Sequence, residues 1–435
     1  MSEARRGLAA AVLSSAGRIG EGLPQATASR IARCAEQYRG AGVTDGDLLV
    51  FSGLAPETLL AAVVACWNTG AAAWVTPREP QAFAAHGASF TVAPGPAGEI
   101  AVARRATAAG PVPAGLGLLH ETSGSTGEPK LARRSVESIR AEHIGYRAGL
   151  GLGAEDTVRI PVPVAHSFGS GVALSALLSG CRVDARPFTT PSGVARDLDR
   201  GRSTKLAVTP ALLRLLTKTR RTGDSRPRAV LVGAGPVSDE LDAACAARFG
   251  VPVTRGYGSS ETGGMFIGSR GLGQPIPAVG IAGPDPGSRG ELVVRTATPV
   301  WGYAHEPVRD SLLWRTGDVV ERDASGQVWF AEREPGAVRV NGKFVDVSPV
   351  RAAVGEVAGV EEVEFLVLPR AGDAEFEDVY AVVSGRPPSR ETVEDALYAS
   401  APSGVAPRLR IFAEFPRTAI GKLDRAALTE WIRTK

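Results

Sequence analysis

The chain has 435 residues, 44% of them hydrophobic, which is enough for two or three domains with proper cores. Its 49 Lys and Arg against 46 Asp and Glu leave a formal charge of only +3, so neither nucleic acid nor an anionic membrane is expected as a partner. No apolar run is long enough to span a bilayer, and Cys34, Cys66, Cys181 and Cys245 are too widely spaced for a disulfide framework or a paired-cysteine zinc site. The cysteines read as small core residues in a reducing compartment.

Arg5-Arg6 ahead of residues 8–16 could suggest a secretion leader, but the stretch is short, Ser-interrupted and followed by Arg18, and an amphipathic leading helix explains it as well. Residues 48–52 are a short apolar run, 56–68 have helical periodicity, and 71–75 are apolar again, which predicts a βαβ unit. Residues 77–117 are rich in Ala, Gly and Pro. Residues 228–232, 237–249 and 251–255 repeat the strand, helix, strand pattern, so a largely parallel sheet with covering helices is predicted for the first two-thirds. Residues 290–295, 318–322 and 327–331 read instead as antiparallel strands of a smaller β subdomain, the last two joined by a tight turn at Asp323-Ala324-Ser325-Gly326. Beyond Arg333 comes the breaker cluster Glu334-Pro335-Gly336. Short strands near 360–368 and 379–383, a helix near 390–399 and a strand at 409–415 follow. The expected class is α/β, with a large domain 1–334 and a small α+β domain 335–435 bounded at Pro335.

The densest chemistry lies in Glu121-Thr122-Ser123-Gly124-Ser125-Thr126-Gly127-Glu128-Pro129-Lys130. Glycines let the backbone approach an anion and turn its N–H groups inward, the hydroxyls add short donors, and Lys130 adds charge, so the segment suits phosphate. It is not a Walker A loop, because Pro129 precedes the lysine and biases residue 128 towards an extended conformation. Standing alone, the segment would read as an exposed Ser/Gly linker.

It does not stand alone. With Tyr257-Gly-Ser-Ser-Glu261, Trp314-Arg-Thr-Gly-Asp318 and Pro416-Arg-Thr-Ala-Ile-Gly-Lys422 following in that order, the chain resembles the adenylate-forming enzymes: acyl- and aryl-CoA synthetases, peptide-synthetase adenylation domains and luciferases. The resemblance implies a two-domain fold with ATP and a carboxylic acid in the cleft, a mobile small domain, and a cytoplasmic location. Thr122, Ser123, Gly124, Ser125, Thr126, Gly127 and Lys130 would cradle the β- and γ-phosphates. Glu261 and Thr126 would serve Mg²⁺, for which a hard carboxylate oxygen is suited. Tyr257 resembles the residue that stacks on adenine, beside Gly258 and Ser260. Gly233, Ala234 and Gly235 belong to the nucleotide and acid surroundings. Asp318 would accept both ribose hydroxyls, and Arg333 matches an arginine that contacts ribose and phosphate before the hinge, although Glu332 stands where glycine is usual. Lys422 resembles the catalytic lysine inserted by the small domain, a long stem with three donors able to bridge carboxylate and α-phosphate.

His166, in Pro161-Val-Pro-Val-Ala-His-Ser-Phe-Gly169, matches the segment lining the acid pocket and, with Lys422, Thr126 and Glu261, completes the expected catalytic group. Members that take α-amino acids usually carry an aspartate here for the ammonium. No acidic residue lies between Pro161 and Gly180, which favours an uncharged acyl or aryl acid. The implied reaction is acyl-AMP formation with release of pyrophosphate, then transfer to a thiol. Coenzyme A is the default acceptor, a pantetheine thiol on an acyl carrier protein the next, and an amine the third. A degenerate, non-catalytic nucleotide-binding homologue is the rival reading, opposed by the presence of Lys130, Glu261, Asp318 and Lys422. Pro335, where relatives carry Asp or Lys, removes one soft torsion at the hinge.

Overall fold

Strands with no polar alternation suit sheets covered on both faces, and Leu48–Phe51 and Ala72–Val75 are buried at every residue. The computed structural model describes residues 3–76, 87–96, 99–105, 112–122, 130–304, 306–333, 337–340, 343–370, 373–401, 406–418, 421 and 423–434. The phosphate-loop residues Ser123 to Gly127, together with Pro335 and Lys422, lie outside the described residues, as do the side chains of Thr122 and Arg333.

The chain divides into two compact units. The larger comprises Met1–Thr122, Leu131–Thr316 and Val320–Phe330. The smaller is built mainly on Ala331–Lys435.

In the larger unit a six-stranded sheet runs β5 (Ile100–Arg104), β4 (Phe90–Pro94), β2 (Leu48–Phe51), β3 (Ala72–Val75), β6 (Leu116–Thr122), β7 (Lys130–Ser135). From β4 to β6 the pairing is parallel, and β5 returns antiparallel to β4. A second sheet, of eight strands, runs β1 (Arg18–Ile19), β9 (Arg182–Asp184), β8 (Thr157–Arg159), β10 (Lys205–Val208), β11 (Ala229–Val232), β12 (Val253–Ser259), β13 (Gly263–Gly268), β14 (Gln274–Pro275). It is parallel from β1 to β12 and antiparallel thereafter. The two predicted βαβ units therefore lie in different sheets and not in one. Each alone satisfied its local pattern, and periodicity carries no information about which strand becomes the neighbour.

Helices α1 (Glu3–Ser14), α2 (Pro24–Gly40), α3 (Pro56–Thr69), α4 (Val136–Leu150) and α5 (Ser167–Leu178) contribute to the largest core. Within it α3 buries every residue from Leu59 to Trp67, and Trp67 donates its indole N–H to the Gly117 carbonyl at 2.9 Å. Three more helices, α6 (Pro191–Asp199), α7 (Pro210–Thr217) and α8 (Asp239–Phe249), flank a second core around β10 and β11. The predicted start of α8 at Val237 moves to Asp239 because the Ser238 hydroxyl caps the Leu241 N–H at 3.3 Å. A four-stranded sheet, β15 (Val279–Gly283), β16 (Ser288–Thr296), β17 (Leu313–Arg322) and β18 (Val328–Arg333), corresponds to the expected β subdomain, with β17 starting earlier than predicted.

The smaller unit carries β19 (Ala337–Val340) paired with β20 (Lys343–Asp346), and a sheet of β21 (Val360–Arg370), β22 (Asp373–Gly385) and β23 (Arg408–Phe412). Period-two alternation sends Phe365 and Val367 into one core with α9 (Ser348–Gly355) and α10 (Arg390–Ser400), while Leu366 and Leu368 enter another with α11 (Arg425–Thr434). β23 stops short of the predicted Phe415, where Ala413 and Glu414 form a bend. All four cysteines are free and buried, as the composition suggested. No helix among the described residues is long and apolar enough to cross a membrane.

Candidate active site

In a parallel sheet every strand ends at the same edge, so the segments leaving β8, β11 and β12 gather there by topology alone. The segment after β8 carries Pro161 and Pro163, which disfavour helix. The helix begins only when His166, extended at φ −91° and ψ 149°, offers its carbonyl to the Ser170 N–H at 2.9 Å. Gly169 is needed in that first turn, since a Cβ there would lie 2.4 Å from the Pro163 carbonyl oxygen.

The segment after β11 is Gly233-Ala234-Gly235. The Phe168 ring packs onto Gly233 so closely that a Cβ would stand 2.5 Å from its Cε2 atom. Ala234 holds φ at 63°, a left-handed conformation that a non-glycine residue adopts at a cost.

The third segment is a hairpin, β12 into β13, with its register shifted between Tyr257 and Gly258. Tyr257 sits edge-on to Phe266, with ring centroids 5.7 Å apart. Ser260, Glu261 and Thr262 form the tip, where Thr262 Oγ1 accepts the Ser259 N–H at 3.2 Å. The tip is tied outward twice. Ser260 Oγ lies 3.1 Å from Ser167 Oγ, joining the hairpin to the first turn of α5. Tyr303 donates its hydroxyl to Glu261 Oε1 at 2.7 Å. Tyr303 is in turn anchored through its backbone, in a bridge with Ala132 of β7 flanked by Arg133 N–H to Gly302 O at 2.9 Å.

His120, one residue before Glu121 in β6, is buried, and its Nε2 lies 3.1 Å from Ser170 Oγ. Burial, reinforced by the charges of Arg134 and His166, holds its pKa down to about 3, so this imidazole is neutral throughout the working range. The strand leading into the Ser/Gly loop is thereby coupled to the helix that His166 opens. Beside His120, Thr76 donates to Glu121 Oε1 at 2.5 Å.

The structure thus brings His166, Gly233 to Gly235, Tyr257, Gly258, Ser260 and Glu261 to one edge of the eight-stranded sheet. Lys130 opens β7. Asp318 lies partly buried in β17, after Gly317 at φ 72°. In the smaller unit Arg417 pairs with Leu423 in an isolated bridge and Gly421 N–H reaches Thr418 O at 2.8 Å, while Lys422 itself is outside the described residues. Sequence reasoning missed Tyr303, Ser167, Phe168 and His120, whose roles rest on contacts between distant segments; only the placement of Ser167 and Phe168 next to His166 offered a signal.

Comparison with known proteins gives the same assignment. The AMP-binding enzyme family model matches residues 91–304. A probable 2-succinylbenzoate–CoA ligase of Mycobacterium tuberculosis is 31% identical over 334 residues, covering 72% of this chain and 83% of that protein. A feruloyl-CoA synthase of Amycolatopsis is 26% identical over 389 residues, covering 78% of this chain and 79% of that protein. Among solved structures, an amide bond synthetase of Marinactinospora thermotolerans shares the fold at a TM-score of 0.70 and 20% identity, over 98% of this chain and 99% of that one. The family match, the relatives and the shared fold establish that the chain belongs to the AMP-binding, adenylate-forming ligases.

Proposed function

We propose that this chain activates an aryl or acyl carboxylic acid without an α-amino group, using ATP to form an acyl adenylate and pyrophosphate, and passes the acyl group to the thiol of coenzyme A. The observation that carries the reading is the convergence of the His166, Gly233 and Glu261 segments, locked by the Ser167–Ser260 and Phe168–Gly233 contacts. Activation brings two anions together, so the site must orient both and meet the charge that develops. His166 and the Gly233 to Gly235 turn border the acid. With no acidic residue from Pro161 to Gly180, an α-ammonium would be buried without a counter-charge, at considerable cost. The 2-succinylbenzoate and ferulate named for the two relatives are carboxylic acids without an amino group, which supports the exclusion of an α-amino acid, while the second carboxylate of 2-succinylbenzoate shows that the rest of such an acid need not be neutral.

Tyr257 faces adenine, with Gly258 and Ser260 beside it. Thr122 to Gly127 and Lys130 cradle the polyphosphate, Asp318 and Arg333 hold the ribose side, and Lys422, from a mobile small domain beginning at residue 335, bridges the carboxylate and α-phosphate. No cluster of three His, Cys, Asp or Glu able to hold a metal occurs among the described residues. The single Glu261 carboxylate, helped by Thr126, fits instead a Mg²⁺ held chiefly by nucleotide phosphates and water. When bound, that ion neutralises phosphate charge. Tyr303, by donating to Glu261, fixes which carboxylate oxygen is left for it.

The test is ATP–pyrophosphate exchange over a panel of aryl, acyl and α-amino acids, followed by thioester formation with coenzyme A. Exchange driven best by an ordinary α-amino acid would overturn the substrate class, and exchange without thioester would overturn the acceptor.

A further inference from the structure

Behind the Glu261 hairpin lies an ion pair with no assigned role. Arg134, at the end of β7, and Glu142, in the second turn of α4, are both buried and meet at 3.0 Å. Both Glu142 oxygens and two of the three guanidinium nitrogens are used. Arg134 Nε donates to Ser138 Oγ at 3.1 Å and its Nη2 to the Ser138 carbonyl at 3.2 Å. Glu142 Oε2 takes the guanidinium, while Oε1 accepts the Gly264 N–H at 2.8 Å.

That last bond reaches the active-site hairpin. Gly264 is opposite Gly258 in β12, at the register shift, and only two residues separate it from Glu261. Gly263, at φ 75°, fits against the guanidinium, since a Cβ there would stand 2.4 Å from Arg134 Nη1. From the other side, Gly171 of α5 lets Glu142 approach, its own Cβ position being 2.4 Å from Oε1. Ser138, Glu142, Glu261, Thr262 and Gly264 line one small cleft. The pair therefore touches the returning strand of the hairpin, the helix that starts at His166, and the strand that starts at Lys130.

A fully buried ion pair is weak support for stability, because desolvation offsets most of the attraction, and an apolar pair of similar volume often does as well. An apolar pair could not accept the Gly264 N–H or pack a guanidinium under Gly263. We propose that Arg134 and Glu142 are positioning residues that set the height and direction of the Glu261 carboxylate. The proposal rests on the reading of Glu261 as the carboxylate on the nucleotide's Mg²⁺. Groups that orient a metal ligand from behind alter metal affinity by about tenfold to a hundredfold when removed.

The experiment compares wild type, Glu142→Gln and the double variant Arg134→Met with Glu142→Met in the full chain. Three quantities are measured: melting temperature, ATP affinity by titration calorimetry with Mg²⁺ and with EDTA, and pyrophosphate exchange. The double variant removes both charges together and leaves neither stranded, so it should keep a melting temperature near wild type. It should nevertheless lose about tenfold of the affinity that Mg²⁺ adds, with ATP affinity in EDTA unchanged, and at least tenfold of the exchange rate. Glu142→Gln, assayed well below its own melting temperature, should show the same Mg²⁺ deficit and serves if the double variant does not fold. Wild-type Mg²⁺ dependence in either variant, or losses that vanish when the double variant restores stability, would overturn the positioning role alone. A wild type whose ATP affinity ignores Mg²⁺ would overturn the Glu261 reading and this proposal with it.

Discussion

Tyr303→Phe deletes one oxygen and, with it, the 2.7 Å hydrogen bond to Glu261 Oε1. The ring should stay where it is. Its segment is held by backbone bonds, Arg133 N–H to Gly302 O at 2.9 Å and Ala304 N–H to Leu131 O at 2.8 Å, and by the bridge to Ala132. A hydrogen bond to a charged group contributes about 1.5–3 kcal/mol. Tyr303 and Glu261 are both only partly buried, so the lower end applies, about 1.5 kcal/mol or roughly tenfold in a rate or affinity. Steady-state pyrophosphate exchange with varied Mg·ATP should therefore show kcat/KM down about tenfold, with the melting temperature shifted by no more than about 2 °C. Wild-type kinetics in Tyr303→Phe would refute the argument that this hydroxyl orients Glu261. So would a loss of rate accompanied by a collapse in stability, since the hydroxyl would then be holding the loop.

His120 supplies a pH prediction. Its folded pKa of about 3 lies below the ordinary value near 6.5, so the unfolded chain takes up a proton that the folded one refuses. The stabilisation is complete above about pH 6.5 and falls by about 1.4 kcal/mol per pH unit as pH drops from there towards 3. His143, also lowered by burial, acts in the same sense. Urea titrations at pH 7.5 and 5.5 should show a fall that His120→Gln reduces by about 1.4 kcal/mol; an unchanged pH difference in the variant would show that His120 is protonated when folded. Lys422→Ala should lose adenylate formation by several orders of magnitude while still binding ATP, because its loop belongs to the small domain in our reading. Near-normal exchange in that variant would defeat the assignment.

What could be read from the sequence was whatever lay close together along it. The Tyr257 to Glu261 segment announced itself because an aromatic ring, two hydroxyls and a carboxylate fall within five consecutive residues, and the βαβ units did because strand, helix and strand follow one another. Partners across the fold were silent. Tyr303 lies 42 positions from Glu261, and Ser167 lies 93 from Ser260, so no local pattern links them. Arg134 and Glu142 drew no reading from the sequence at all, and it is the close approach of Gly171 and Gly263 in the fold that marks them as interior. The split into two sheets was illegible for the same reason, as was the two-residue strand Arg18–Ile19, which exists only because Arg182 and Val183 pair with it.

The cysteines bear on chemical fidelity. An acyl adenylate is a mixed anhydride, and any thiolate within reach would open it as readily as the intended acceptor does. Cys34, Cys66, Cys181 and Cys245 are all buried, and burial pushes every thiol upward, Cys181 and Cys245 to about 12. At neutral pH none of them is a nucleophile. The chain thus offers an activated intermediate no thiolate of its own, self-acylation on cysteine sulfur is closed off, and an acyl group bound for a thiol has to meet one that arrives from outside.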